Sequence, residues 1–355
     1  MTEESDLHTL LEEELKKLRI ENDDYLGTIQ ALYAFADSAR WDEDVRNFRP
    51  GSQRSIPRTM TVRVGEETRN LTPDCVVQVT EEYGVIAEAK KHYRDAEDTC
   101  AFTQIANYDQ PLIGWWTLDE KIDSHDLVLL THYLSSTRAC DAYQNWKAAG
   151  SSFERPFAIV EFNFADQATV SFVLKRVEGR LSDKRHDESL RLGKPIPVRL
   201  VIEHKRRYKF YDADPPDAHT MLLLHDYIFP MLRGEEDFDA LREHEHPVLR
   251  ISVEEARDRL AEQFCDPPHK DRQPHLPKIN WVRRALNRFV DLGLAARDPG
   301  EPDAFLVALK KPRKKDTLEY FAERIVRQQL KTRELAVPRR KKKSEGQLSL
   351  FKDSL

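Results

Sequence analysis

The chain has 355 residues, 40% of them hydrophobic and 33% charged, and a formal net charge of −6. That is the composition of a globular protein with a heavily charged surface, long enough for two domains, and no apolar run approaches the ~20 residues a membrane-spanning helix needs. The acidic start, MTEESDLHTLLEEE, lacks the basic-then-apolar pattern of a signal peptide, and Cys75, Cys100, Cys140 and Cys265 form no CxxC pair, so a cytoplasmic protein without disulfides is expected.

In chain order, Leu7, Leu11, Leu15 and Leu18, then Tyr25, Ile29, Leu32 and Phe35, recur at helical spacing, which predicts two helices, or one broken near Asn22, over 5–40. Strands are expected at 59–64, 75–80 and 85–90, the last two joined by a turn at 81–84 in which Gly84 supplies the permissive backbone. A helix over 97–109, capped by Asp95 or Asp98 and stopped by Pro111, precedes a strand at 127–130, a helix at 138–148 and a strand at 157–164. This order predicts a mixed sheet flanked by helices. Residues 166–245 are less legible: strands at 169–176 and 198–202 and a helix at 219–233 are expected, then an acidic linker at 235–239. A compact unit follows at 247–311, a helix at 316–335, and a charged tail in which basic residues cluster at 310–315 and 339–343.

The stretch PDCVVQVTEEYGVIAEAKKH carries chemistry. Alternate residues of a strand share a face, so Glu88 and Lys90 project together. A turn near Glu82 and Tyr83 sets Asp74 opposite Lys90. Two carboxylates and an ammonium then converge at one end of a hairpin. Phosphodiester hydrolysis uses such a set: a hard cation held by carboxylates activates water, and a cationic side chain stabilises the charge that develops on phosphate. Asp74, Glu88 and the Ala89 carbonyl are the candidate ligands for Mg²⁺ or Mn²⁺, with Lys90 beside them.

Pro73-Asp74 and Glu88-Ala89-Lys90 resemble the two halves of the PD-(D/E)XK nuclease motif. Gln104 and Tyr108, one helical turn apart, are similar to the QxxxY element of its RecB-like branch. The resemblance covers about residues 60–135. It implies a restriction-endonuclease-like mixed sheet, metal-dependent DNA hydrolysis, and Gln104 and Tyr108 adjoining the active site. The family commonly adds a Glu from its first helix, for which Glu14 and Glu21 are candidates.

Residues 246–312 resemble a winged helix. Ser252 caps a first helix with Glu255 three residues on, a second runs 279–292 to Gly293, and a hairpin over 294–309 stands as the wing. Lys278, Arg283, Arg284 and Arg288 are the candidate DNA contacts. Cys265, His269 and His275 lack a fourth ligand for zinc and are expected in a polar loop. In the tail, Gln347-Leu348-Ser349-Leu350-Phe351 is similar to the pentapeptide by which bacterial replication and repair proteins bind the DNA sliding clamp.

The expected domains are thus a nuclease domain at 1–165, an extension at 166–245, a winged helix at 246–312, a helix at 313–335 and a disordered tail. The expected function is Mg²⁺-dependent DNA cleavage in repair, recombination or defence against foreign DNA, without a membrane. The chain has no GxxxxGK[ST] sequence of its own, so an ATPase or helicase is a candidate partner. The alternative is a non-catalytic DNA-binding or regulatory protein on a nuclease-like scaffold.

Overall fold

The computed structural model describes residues 3–64, 67–93, 95–115, 122, 124–165, 171–235, 248–265, 276–308 and 316–336. The chain divides into two compact units, one of residues 1–18 with 311–355 and one of residues 19–310.

The larger unit is built on seven strands whose order in the sheet follows the chain: β1 (Gln53–Ser55), β2 (Cys75–Gln78), β3 (Tyr83–Ala89), β4 (Ser124–His132), β5 (Phe157–Ala165), β6 (Ser171–Gly179) and β7 (Lys194–Ile196). β1, β2 and β3 form an antiparallel meander. β3, β4 and β5 run parallel, the latter two reached through helical crossovers: α2 (Cys100–Ala106) before β4 and α3 (Ser136–Ala148) before β5. β6 and β7 close the sheet antiparallel. The result is a mixed sheet flanked by helices.

Both faces of the central strands are covered, so DLVLL and FAIVEF read as continuous apolar runs rather than alternating ones. Val77, Ala87, Val128 and Phe162 meet Ile29, Leu32 and Phe35 of α1 (Glu3–Arg40) on one face. Val76, Ile86, Leu129 and Ile159 meet Phe102, Ile105 and Trp146 on the other.

Several expectations need correction. α1 is one continuous helix, unbroken at Asn22, whose side chain instead bonds His219 at 2.8 Å. The strand at Met60–Val64 lies outside the main sheet and pairs with Glu67–Leu71 and Leu112–Ile113; the meander's first strand is β1. Residues 198–202, expected as a strand, begin helix α5 (Val198–Arg207), because its apolar residues serve one helical face. Before it, helix α4 (Lys184–Leu192) was not foreseen. No boundary falls at residue 165, since β6 and β7 continue the same sheet.

Further on come helices α6 (Asp217–Leu223) and α7 (Phe229–Glu235), joined by a π turn at Leu224–Ile228. Strand β8 (Val248–Ser252), helix α8 (Val253–Phe264), helix α9 (Ile279–Asp291) and strands β9 (Ala295–Arg297) and β10 (Ala304–Ala308) follow, with β10 central in a three-stranded sheet. Ser252 Oγ accepts the Glu255 N–H at 3.1 Å, as expected of a cap. In the smaller unit, α10 (Thr317–Ala336) buries Leu318, Phe321, Ala322, Ile325 and Val326 at helical spacing.

Candidate active site

Cys75 pairs with Ala87 across β2 and β3, so Asp74 faces Glu88 and not Lys90. The difference comes from the turn. Both Val79 and Thr80 N–H groups bond the Tyr83 carbonyl, at 2.9 and 3.0 Å. The chain therefore reverses over 80–82, earlier than the sequence suggested, and each step of the turn moves the cross-strand partner by two. Gly84 lies in β3 rather than in the turn. It is small for another reason: a Cβ there would sit 2.3 Å from Cζ3 of Trp115.

The two carboxylates are 9% and 6% exposed. The Ala89 N–H donates to Asp74 Oδ2 at 2.9 Å, and the Tyr108 hydroxyl donates to Glu88 Oε1 at 2.5 Å. Gln104, exposed one turn before Tyr108, is close enough to act on the same hydroxyl. Burial pushes the Asp74 carboxyl above its ordinary range, against the pull of the Ala89 N–H. Burial pushes Glu88 up as well, helped by repulsion from Asp74 and opposed by the Tyr108 bond. A pair of buried, adjacent carboxylates with raised pKa values is held in a state that a bound cation would relieve.

Lys90 follows on β3's edge, its N–H bonded to the Leu130 carbonyl at 2.9 Å. Its ammonium bonds Asp98 Oδ2 at 2.5 Å and lies 4.6 Å from the Tyr93 ring centroid. Asp98, expected as a cap for α2, is instead the lysine's partner. Helix α2 is shorter than expected, and its N-cap, Thr99, makes no side-chain cap bond.

Sequence reasoning missed the segment 208–217. Tyr211 packs at a tilt against Tyr25 of α1 with centroids 5.0 Å apart, and the Tyr25 hydroxyl donates to the Ala213 carbonyl at 3.2 Å. Asp212 holds Lys278 at 2.6 Å, and both charges are close enough to act on Asp74, the first raising its carboxyl and the second lowering it. The only signal in the sequence was an acidic run, YDADPPD, far from the motif. From α1, Asp24 pairs with Lys91 and with His92, the latter at 3.1 Å. Glu21 makes no recorded bond to the carboxylate pair among the described residues, and Glu14 belongs to the other unit.

Every basic residue singled out on α9 has an acidic partner. Arg284 bonds Asp214 at 2.9 Å and also Asp217, Arg283 meets Asp303 at 3.2 Å, and Arg288 lies 3.7 Å from Asp291. Lys278 and Arg284 thus fasten α9 to the 212–217 loop. Gln347, Leu348, Leu350, Phe351, His269, His275 and both basic clusters lie outside the described residues.

Among the described residues no three His, Cys, Asp or Glu side chains gather into a metal cluster. Asp74 and Glu88 remain the candidate acidic donors. Two hard carboxylates fit Mg²⁺, which keeps several waters and takes substrate oxygens for its other positions. A separate cavity of about 360 Å³, lined by Asp37, Trp41, Lys194 and Arg199 among others, lies between α1, β7 and α5 and does not include these carboxylates. No family model, curated protein or solved structure matches the chain. No helix among the described residues is long and apolar enough to cross a membrane.

Proposed function

We propose that the chain is a divalent-metal-dependent DNA nuclease of the PD-(D/E)XK type, centred on Asp74, Glu88 and Lys90. The observation that carries this is the cross-strand carboxylate pair, buried and braced by the Ala89 N–H and the Tyr108 hydroxyl, at the junction of an antiparallel meander with a parallel crossover. A divalent cation would supply charge neutralisation at phosphate and lower the pKa of a water. Asp74, Glu88 and the Ala89 carbonyl would hold it. Tyr108 fixes the Glu88 rotamer, and Gln104 fixes Tyr108. Lys90 orients the attacking water or stabilises charge on the phosphate oxygens, with Asp98 holding it in position.

Two further parts support a DNA substrate. The order β8-α8-α9-β9-β10, with β10 between β8 and β9, supports the winged-helix reading of 248–308. The acidic partners of its arginines mean that phosphates would compete for Arg283 and Arg288 and not meet them free. The tail pentapeptide supports recruitment by a bacterial sliding clamp.

The test is incubation of the purified chain with plasmid, linear duplex and single strands in Mg²⁺, Mn²⁺ or EDTA. Asp74→Ala and Glu88→Ala should lose both metal binding by calorimetry and cleavage. Lys90→Ala should bind metal and lose roughly 10²-fold or more in rate. Cleavage that survives excess EDTA, or a fully active Lys90→Ala, sinks the reading. Metal binding without cleavage of any substrate would favour the non-catalytic scaffold.

A further inference from the structure

Beyond Lys90 the chain runs along the end of β4. The His132 N–H bonds the Lys91 carbonyl at 3.3 Å, so the residues just after the motif lie against 131 and 132. Three rings meet there. The His92 and His132 centroids are 6.3 Å apart and those of His132 and Tyr133 are 4.7 Å apart, within the range of aromatic contact. His132 meets Phe162 edge-to-face at 5.6 Å, which fixes it from inside the sheet. The outer members are open. Tyr133 is 42% exposed, Leu134 69%, and the His92 side chain 56%.

These rings are presented on a pinned turn. The Leu134 N–H donates to His132 Nδ1 at 3.4 Å, and the Ser136 hydroxyl donates to the Tyr133 carbonyl at 2.9 Å. They stand at the carboxyl ends of the parallel strands β3 and β4, the edge at which open α/β sheets meet their ligands. Lys91, which precedes His92, is already paired with Asp24, so its charge is partly neutralised beside the rings.

We propose that His92, His132 and Tyr133 form a stacking step for unpaired nucleobases beside the Asp74–Glu88 pair, and that the enzyme takes single-stranded or frayed DNA. This rests on the nuclease reading. Every base has a π face, and aromatic platforms accept bases in any sequence. A duplex keeps those faces inside its own stack, so only an unpaired strand can use the step. His92 follows Glu88 by four residues in the chain, so a strand on the step would run close to the proposed metal ligands.

The test uses the full chain in EDTA, with fluorescence anisotropy of three labelled probes: an oligothymidine, an abasic strand of equal length, and a blunt duplex. The wild-type chain should bind oligothymidine more tightly than the abasic strand. Tyr133→Ala, at an exposed position, should weaken oligothymidine binding by roughly five-fold or more and leave the other two probes unchanged, while Tyr133→Phe should bind as wild type. Equal binding of oligothymidine and abasic strand would overturn the proposal. So would a Tyr133→Ala variant that binds oligothymidine normally, or one that loses all three probes alike, as a protein-contact surface or a folding defect would give. Because no cleavage is read, the two ideas fail separately: Tyr133-dependent base binding in a chain that never cuts DNA removes the nuclease and keeps the step, and cutting without such binding does the reverse.

Discussion

Asp37 shows how single residues hold the scaffold behind the site. Its carboxylate, 4% exposed in the side chain, meets Arg40 at 2.6 Å, Arg54 at 3.0 Å and His204 at 3.0 Å. Burial alone would raise its pKa, yet these three partners prevail and bring it down to about 2 from the ordinary 3.8. A depressed carboxylate contributes stability above the unfolded pKa and loses it as pH falls through the folded one. The gain, about 2 kcal/mol at neutral pH, should fade between about pH 4 and 2. In urea unfolding, the gap between wild type and Asp37→Asn should narrow as pH is lowered from neutral toward this window. A gap that does not change with pH would exclude the linkage. Gly84 is a second such residue. Gly84→Ala drives a methyl against the buried Trp115 ring and should cost about 1–3 kcal/mol by overpacking. Adding Trp115→Phe should recover part of the loss, measured as a non-additive double-variant cycle. The carboxylate pair was legible in the sequence in outline, because placing ExK on a strand needs only period-two alternation, although its register was not. The partners were not: Asp98, Asp212 and Tyr25 reach the site through the fold, and no local pattern marks them.

At the scale of elements, the second half of the larger unit departs most from what the sequence suggests. Residues 247–312 read as a domain able to fold alone, since caps, helices and hairpin all follow local rules. The structure ties it to what precedes it. Phe289 of α9 packs on Phe229 of α7 at 5.5 Å, Trp281 stacks on Phe210 at 6.3 Å, and Arg284 reaches Asp214 and Asp217. A fragment of residues 248–308 would leave these rings in water, each a loss of roughly 1.5–3 kcal/mol. It should therefore show no cooperative thermal transition, whereas a fragment of residues 208–308 should show one. Equal transitions in the two fragments would mean that the earlier helices add nothing. The same contacts correct the simple use of Arg284 as a DNA probe. Arg284→Glu would repel Asp214 and Asp217 and loosen α9, so a binding defect in that variant needs a stability measurement beside it. Helices α6 and α7 were visible in outline as one helix over 219–233, but their role as the floor under α9 was not, because pairings between distant helices leave no periodicity in either one.

For the whole molecule, the tail raises a question of delivery. A short peptide that orders on binding needs a few apolar anchors to offset its lost freedom, and Leu348, Leu350 and Phe351 concentrate three in a polar stretch. A labelled peptide of residues 341–355 should gain anisotropy with purified bacterial clamp, and Leu350→Ala with Phe351→Ala should abolish the gain while cleavage of naked DNA by the full chain stays unchanged. A flat titration at tens of micromolar clamp, an affinity far weaker than most specific complexes reach, would remove the clamp from the reading. The general architecture was legible beforehand, as alternating strand and helix patterns dictate a mixed sheet. Its extent was not: β6 and β7 belong to the sheet that carries the proposed site, although the sequence placed a boundary before them.

That sheet has a property with a bearing on how the protein is made. Its seven strands stand side by side in the order in which they are synthesised. No strand has to be threaded between two that are already paired, and each finds its docking edge already waiting as it leaves the ribosome. Both carboxylates of the proposed site are brought together by the hairpin of β2 and β3, which closes before two thirds of the chain exists. Domains form as units during translation, the earlier part first. The nascent chain can thus carry its carboxylate pair in place long before α9 and the tail emerge.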